Sequence, residues 1–325
     1  VGPCLAESEV LLDCPTPTQC RVKDALHPSG HAGGMADPTL LKKSGFLVLA
    51  LALSACTTTQ AVPLASTPAV PPGMQYLYGS GEAAAQALQT WRQLTGFVAQ
   101  KVAASPAESV ILAEGASLAA PRWVPCGTKP KAVVFDVDET VLLNLGFEAN
   151  DAAHPAPYDQ KVWNAWERSD LDKVAAQPGA VAALAELRRM GVTVIFNTNR
   201  SIANADITRA TIEAAGLGPA VHGETLYLSG DDAMGSRKDG RRATIAAKFC
   251  VVAMGGDQLG DFSDLFNAGL APAPRRATVL SGPIAAHFGA GWFVWPNPVY
   301  GTALKGGLDD IFPQDKRWAP PAGDK

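Results

Sequence analysis

The chain has 325 residues, room for one large domain or two small ones. Hydrophobic residues at 47% against 18% charged describe a globular protein with a sizeable core. A net charge of −4 leaves no basic footprint, which argues against binding a nucleic-acid polymer through its phosphates.

Residues 1–34 carry Cys4, Cys14 and Cys20, several Pro and Gly, and no sustained periodicity. From Met35 the pattern changes. Lys42 and Lys43 precede an apolar run over 45–53, which closes in Leu53-Ser54-Ala55-Cys56. A basic region, a short apolar core and small residues have the shape of a secretory signal. The apolar core is too short to span a bilayer. The closing tetrapeptide resembles a bacterial lipobox. That resemblance implies Met35 as the start, 1–34 as a misassigned upstream extension, 35–55 as signal and Cys56 as a lipidated N-terminus. A buried apolar helix with an incidental Cys is the other reading. Residues 56–73, rich in Thr, Ala and Pro, read as a tether, and the domain is expected over 74–325.

Ala84, Leu88, Trp91, Thr95, Val98 and Val102 recur at helical spacing and predict an amphipathic helix on the outside of the domain. A stretch punctuated by Pro and Gly follows. Then Lys131-Ala132-Val133-Val134-Phe135, a buried-strand pattern, runs into Asp136-Val137-Asp138-Glu139-Thr140. In strand geometry positions i and i+2 face one way, so Asp136 and Asp138 can converge at the strand's carboxyl end. Two converging carboxylates repel unless a cation or a shared proton lies between them. Residues 145–177 form an insertion above this end, with His154, Trp163 and Trp166; each Trp is a pocket wall or a core aromatic.

Pro178-Gly179 opens a predicted helix facing inward through Val181, Leu184 and Leu187, with Gly191 as its stop. A β-branched strand over 192–196 ends in Asn197-Thr198-Asn199-Arg200. A helix over about 203–215, a short strand over 226–228 and a helix from Lys238 to Phe249 follow. The strand over 250–254 leads into Gly256-Asp257 and Asp261, and a last strand over 292–295 leads into Asn297 and Tyr300. The alternation predicts an α/β fold: a doubly wound, mostly parallel sheet with a small helical insertion and an N-terminal helix, its core over about 130–312.

In such a sheet the strand ends share one edge. Asp136, Asp138 and Asp257 are hard oxygen ligands suited to Mg²⁺ rather than Zn²⁺. Lys238, Thr198 and backbone N–H groups suit an anion. A cation site beside an anion site points to a phosphate ester.

The ordered set Asp136-x-Asp138-x-Thr140, Thr198, Lys238 and Gly256-Asp257-x-x-x-Asp261 resembles the haloacid dehalogenase superfamily of phosphotransferases. Within it, AVVFDVDETVLLN, IFNTNR, Lys238-x-x-Arg241, GDQLGDF and WPNPVYG are similar to the class C bacterial acid phosphatases, which include the lipoprotein e group of 5′-nucleotidases. The resemblance implies Asp136 as nucleophile and Asp138 as acid/base, its carbonyl also on Mg²⁺. It implies Thr198 and Lys238 on the phosphoryl group, Asp257 on the metal and Asp261 supporting that site. Thr140, Asn199 and Arg200 complete the substrate-facing strand ends, with Trp163 and Tyr300 clamping a nucleobase. After DETVL the nucleotidase group commonly continues Asp-Asn; Leu143-Asn144-Leu145-Gly146-Phe147 departs from that and alters the pocket wall. Cys126 and Cys250 precede strands that neighbour each other in the superfamily's sheet order, so a disulfide or two buried thiols are both open. The expectation is a Mg²⁺-dependent phosphomonoesterase anchored by lipid in the cell envelope, at the outer membrane facing the periplasm. A phosphotransferase to an alcohol and a non-catalytic phosphate- or metal-binding lipoprotein are the alternatives.

Overall fold

The structure is a computed structural model and describes residues 69–321. The expected upstream extension, the signal segment, Cys56 and most of the tether lie outside the described residues. The tether ends earlier than expected. Pro72 and Gly73 already form the first turn of α1 (Pro72–Gly79), where Pro is tolerated because the first-turn N–H has no helical partner.

Ser80 caps α2 (Gly81–Ala104), its Oγ accepting from the Ala83 N–H at 3.0 Å. The buried stripe of α2 is Ala87, Trp91, Leu94 and Val98. It is rotated from the expected face, and Leu88 is exposed at its flank. As expected, α2 lies on the outside of the domain, its other side chains exposed or half-buried. The Trp91 ring centroid is 5.3 Å from that of Phe135 and 4.3 Å from that of Trp295, so the helix packs directly beneath the first site strand.

An antiparallel ribbon of β1 (Glu108–Leu112) and β2 (Trp123–Pro125) follows. Its Pro and Gly disguise it as loop in the sequence. Next come β3 (Lys131–Phe135), β4 (Leu142–Leu143), α3 (Leu145–Ala153), α4 (Gln160–Glu167) and β5 (Ala175–Ala176). The chain continues through α5 (Ala180–Arg189), β6 (Thr193–Ser201), α6 (Ala205–Ala214), β7 (Leu226–Ser229), α7 (Asp239–Lys248) and β8 (Cys250–Gly256). It closes with α8 (Pro272–Leu280), β9 (Trp292–Val294) and α9 (Leu308–Ile311).

The main sheet has five strands in the order β7-β6-β3-β8-β9, every pair parallel. Val133 and Phe135 of β3 pack on the α2 and α5 side, and Ala132 and Val134 on the side of α7. Both faces are covered, which is why these strands read as continuous apolar runs. The small pair β4–β5 is antiparallel and belongs to the insertion. Two expectations shift. Val181 is 43% exposed, and α5 instead buries Ala180, Ala183, Leu184 and Leu187. Strand β6 does not stop at Phe196 but carries through Ser201.

Cys126 and Cys250 form a disulfide, with Cα atoms 4.6 Å apart, at the amino ends of β3 and β8. Among the described residues no helix is long and apolar enough to cross a membrane.

Candidate active site

Strand β3 ends at Phe135, and this decides how the two carboxylates point. The Asp136 N–H still reaches the Gly255 carbonyl at 3.0 Å, but the chain then turns. The N–H groups of Thr140, Val141 and Leu142 all point at the Val137 carbonyl, and Glu139 adopts a left-handed φ of 54°. The turn starts at Val137, and the Asp138 carboxylate is not among the side chains that cluster with Asp136.

Asp136 instead groups with Asp257 and Asp261. Each offers a carboxylate oxygen, and the three lie within 4.8 Å of one another. Asp257 follows the end of β8, and Asp261 sits in a short 3₁₀ turn. Gly256 makes this possible: a Cβ there would meet the Asp261 Cβ at 2.3 Å. Lys238, at the entrance to α7, places Nζ 2.5 Å from Asp136 Oδ1 and 2.7 Å from Asp261 Oδ1. Asp264 accepts from the backbone N–H groups of Lys238 and Asp239 at 2.9 and 2.8 Å, which holds the helix start in place.

One ammonium faces three carboxylates. Burial pushes Asp136 well above the usual carboxylate range; Lys238 opposes this, and Asp261, Asp257 and Asp138 add to it. Burial and then the Asp261 charge push Asp257 up to about 7, against hydrogen bonds from Asn297 and Gln258. Burial works against the Lys238 charge, but Asp136 and Asp261 more than offset it and raise its pKa. Three desolvated hard oxygen donors with too little positive charge fit a divalent cation such as Mg²⁺, and Asp136, Asp257 and Asp261 are the side chains that would hold it.

Asp138 is held elsewhere. Its Oδ1 accepts from Arg200 Nε at 2.9 Å and Asn144 Nδ2 at 3.0 Å, and Thr198 Oγ1 lies 3.4 Å from Oδ2. Arg200 is fully buried behind it, which corrects the expectation of a substrate-facing guanidinium. Thr140 is also fully buried and donates to Asp257 Oδ1 at 3.4 Å, so it supports the metal-ligand candidate rather than substrate. Asn199 is exposed on the cavity, and its Oδ1 accepts from Arg241 Nη2 at 2.6 Å. Arg241 also donates to the Thr198 carbonyl, which gives the Lys238-x-x-Arg241 spacing a structural purpose.

The cavity above these groups holds about 1200 Å³. Asp136, Asp138, Lys238, Asp257 and Asp261 lie along its floor, and Phe147, Tyr158, Trp163 and Tyr300 along its walls. Thr140, Thr198 and Arg200 do not line it. The two insertion tryptophans divide the alternatives between them. Trp163 lines the cavity with its ring edge-on to Phe147 at 4.9 Å, whereas Trp166 is buried and donates to Asn144 Oδ1 at 3.3 Å.

Four supporting side chains carry no signal of that role in the sequence. Asn297 Nδ2 and Gln258 Nε2 donate to Asp257 Oδ2 at 2.8 and 3.0 Å. Asn144 bridges Asp138 and Glu139. Glu139 is fully buried, accepting from Tyr300 Oη, from Tyr78 Oη at 3.1 Å and from the Asn144 N–H at 2.9 Å. Burial and then the Asp138 charge push it up to about 8. Tyr300 thus keeps about a third of its surface on the cavity while its hydroxyl turns inward. Phe147 and Tyr158 carried no signal beyond lying in the insertion.

A family model described as HAD superfamily, subfamily IIIB (Acid phosphatase) matches residues 82–303. The structure of the class C acid phosphatase from Bacillus anthracis is similar at 25% identity, covering 71% of this chain and 84% of that one, with a TM-score of 0.56. A crystal structure of class C acid phosphatase from Bacillus anthracis with tungstate bound aligns at 24% identity over 73% and 91% of the two chains, with a TM-score of 0.55.

Proposed function

The chain belongs to the acid phosphatases of subfamily IIIB of the HAD superfamily, and we propose that it hydrolyses nucleoside 5′-monophosphates through an aspartyl-phosphate on Asp136, with Mg²⁺ as cofactor. The observation that carries this reading is the cluster of Asp136, Asp257 and Asp261 around Lys238 Nζ, on the floor of a cavity walled by Trp163 and Tyr300.

Bound at the three carboxylates, Mg²⁺ would supply the positive charge that lets an anionic nucleophile approach an anionic ester. The remaining chemistry belongs to the chain. An Asp136 carboxylate oxygen attacks phosphorus, the bond from phosphorus to the ester oxygen breaks, and Asp138 gives that oxygen its proton, releasing the nucleoside. Asp138 then takes a proton from water as the water oxygen attacks phosphorus. Inorganic phosphate leaves and the Asp136 carboxylate returns. Lys238 orients Asp136 and carries positive charge beside the transferring group. Trp163 and Tyr300 offer aromatic faces to a base, a contact tolerant of base identity.

The cellular setting is also proposed: lipid attachment at Cys56 and residence at the outer membrane, facing the periplasm. The Leu53-Ser54-Ala55-Cys56 run supports it. So does the Cys126–Cys250 disulfide, a bond that persists in oxidising compartments. A phosphate-release screen over nucleotides and sugar phosphates, with EDTA and with Mg²⁺ restored, tests the function. Preference for nucleoside 5′-monophosphates with metal-dependent turnover is expected; turnover indifferent to EDTA or to the presence of a base would contradict it.

A further inference from the structure

Asp170 lies three residues past α4, in the insertion whose other side chains wall the cavity. Its own side chain is fully buried and lines no part of that cavity. Oδ2 accepts from Arg200 Nη1 at 2.5 Å, and Oδ1 lies 2.7 Å from the hydroxyl of Thr211 on α6. Arg200 is fully buried too, and it turns its other edge to Asp138: Nε and Nη2 are 2.9 and 2.8 Å from Oδ1. Nη2 also lies 3.0 Å from Asn144 Oδ1, while Asn144 Nδ2 donates to the same Asp138 oxygen. The insertion is docked on this strand end by a second residue. Glu167 accepts from Asn204 Nδ2 at 2.6 Å and from the Ser201 N–H at 3.2 Å.

The donors are unevenly shared between the two oxygens of Asp138. Oδ1 takes the guanidinium edge and the Asn144 amide, whereas Oδ2 has only the Thr198 hydroxyl at 3.4 Å. Oδ2 is therefore the oxygen left to exchange a proton with a bound ester. A guanidinium is a rigid planar fork, so fixing one end fixes the direction in which the other end presents its donors. We propose that Asp170 is a positioning residue of the insertion: by pinning Arg200, it holds Asp138 Oδ1 and aims Oδ2 at the leaving oxygen. The insertion then supplies aim to the acid as well as walls to the pocket. This inference rests on Asp138 being the acid of the proposed reaction.

Leaving-group chemistry separates this role from a merely structural one. A ribose 5′-oxygen needs a proton as its bond to phosphorus breaks; p-nitrophenolate does not. The ratio kcat/KM reports the steps through that first bond cleavage. The test is kcat/KM for a nucleoside 5′-monophosphate and for p-nitrophenyl phosphate, measured with Mg²⁺ on the wild-type protein and on Asp170→Asn, which keeps the shape and removes the charge. The expected result is a loss of about ten- to a hundredfold for the nucleotide and less than about threefold for p-nitrophenyl phosphate, where no acid is needed. If Asp170→Asn does not fold, Thr211→Val, which loosens Asp170 without removing its charge, gives the reading; a smaller selective loss for the nucleotide is expected. Equal losses for both substrates, or no loss for either, would overturn the proposal. A wild-type protein that releases phosphate from neither ester would instead bring down the phosphatase reading, and this proposal with it.

Discussion

Lys238 Nζ lies 2.5 Å from Asp136 Oδ1, joining the end of β3 to the start of α7 across 102 residues of chain. The same ammonium reaches Asp261 at 2.7 Å, so among the described residues it is the cation paired with the carboxylate cluster. Replacing it with the apolar Lys238→Met separates two properties. Turnover is expected to fall about 10²–10³-fold, the usual loss when a charge stabiliser of the transition state is removed. Affinity for Mg²⁺ is expected to rise, because no ammonium competes for the same oxygens. Steady-state kinetics and a calorimetric Mg²⁺ titration read the two effects; unchanged turnover would remove Lys238 from the chemistry.

Glu139 ties stability to pH. Burial raises its pKa to about 8 in the folded chain, against 4.5 as the ordinary value. The folded state therefore keeps a proton that the unfolded chain releases. This contribution is full below about 4.5 and is lost as pH rises through about 8. In EDTA, the melting temperature of the wild-type protein is expected to fall between pH 5 and pH 8. Glu139→Gln, which has no such proton to lose, is expected to fall by several degrees less. Parallel curves for the two proteins would contradict the assignment.

These two residues mark what the sequence could and could not disclose. Asp136, Lys238 and Asp257 were legible because each stands where an apolar strand ends or a helix begins, and in a parallel sheet those places share an edge; Asp261 was legible from its spacing four residues after Asp257. The β3, β6 and β8 runs were legible for the same reason. The directions of Asp138, Thr140 and Arg200 were not, because they depend on a turn and on burial behind the site. Glu139 stands in plain view between Asp138 and Thr140, but only its left-handed backbone turns it under Tyr300. The α2 stripe differs from the expected one in burying Ala87 and Leu94 rather than Leu88 and Thr95, a rotation too small for spacing alone to resolve.

In the proposed function the aromatic walls set substrate preference. Trp163 lines the cavity with its ring against Phe147, and Tyr300, from the segment after β9, lines it too. Stacking of a base on such a ring contributes about 1–3 kcal/mol. Trp163→Ala is thus expected to raise KM for nucleoside 5′-monophosphates by about tenfold or more. KM for a small alkyl phosphate without a base should stay within about twofold on the same grounds. An equal rise for both would place Trp163 in the scaffold instead.

The disulfide stabilises the fold without entering the chemistry. Cys126 and Cys250 are separated by 124 positions and join the amino ends of two neighbouring strands, opposite the active edge. Removing a cross-link of this kind costs about 2–4 kcal/mol. The double variant Cys126→Ala/Cys250→Ala is expected to melt roughly 5–15 °C lower with little change in kcat at room temperature. A variant that melts with the wild-type protein would show that the bond does not form in solution.

The proposed reaction requires that Asp136 itself take the phosphoryl group. Acid quenching during turnover of a nucleoside 5′-monophosphate, followed by mass spectrometry of the digested protein, tests it most directly. The peptide carrying Asp136 is expected to gain one phosphoryl group, to lose it to hydroxylamine, and to remain unmodified in Asp136→Asn. Phosphate release at the full rate with no phosphorylated peptide, or with the group on another residue, would contradict it.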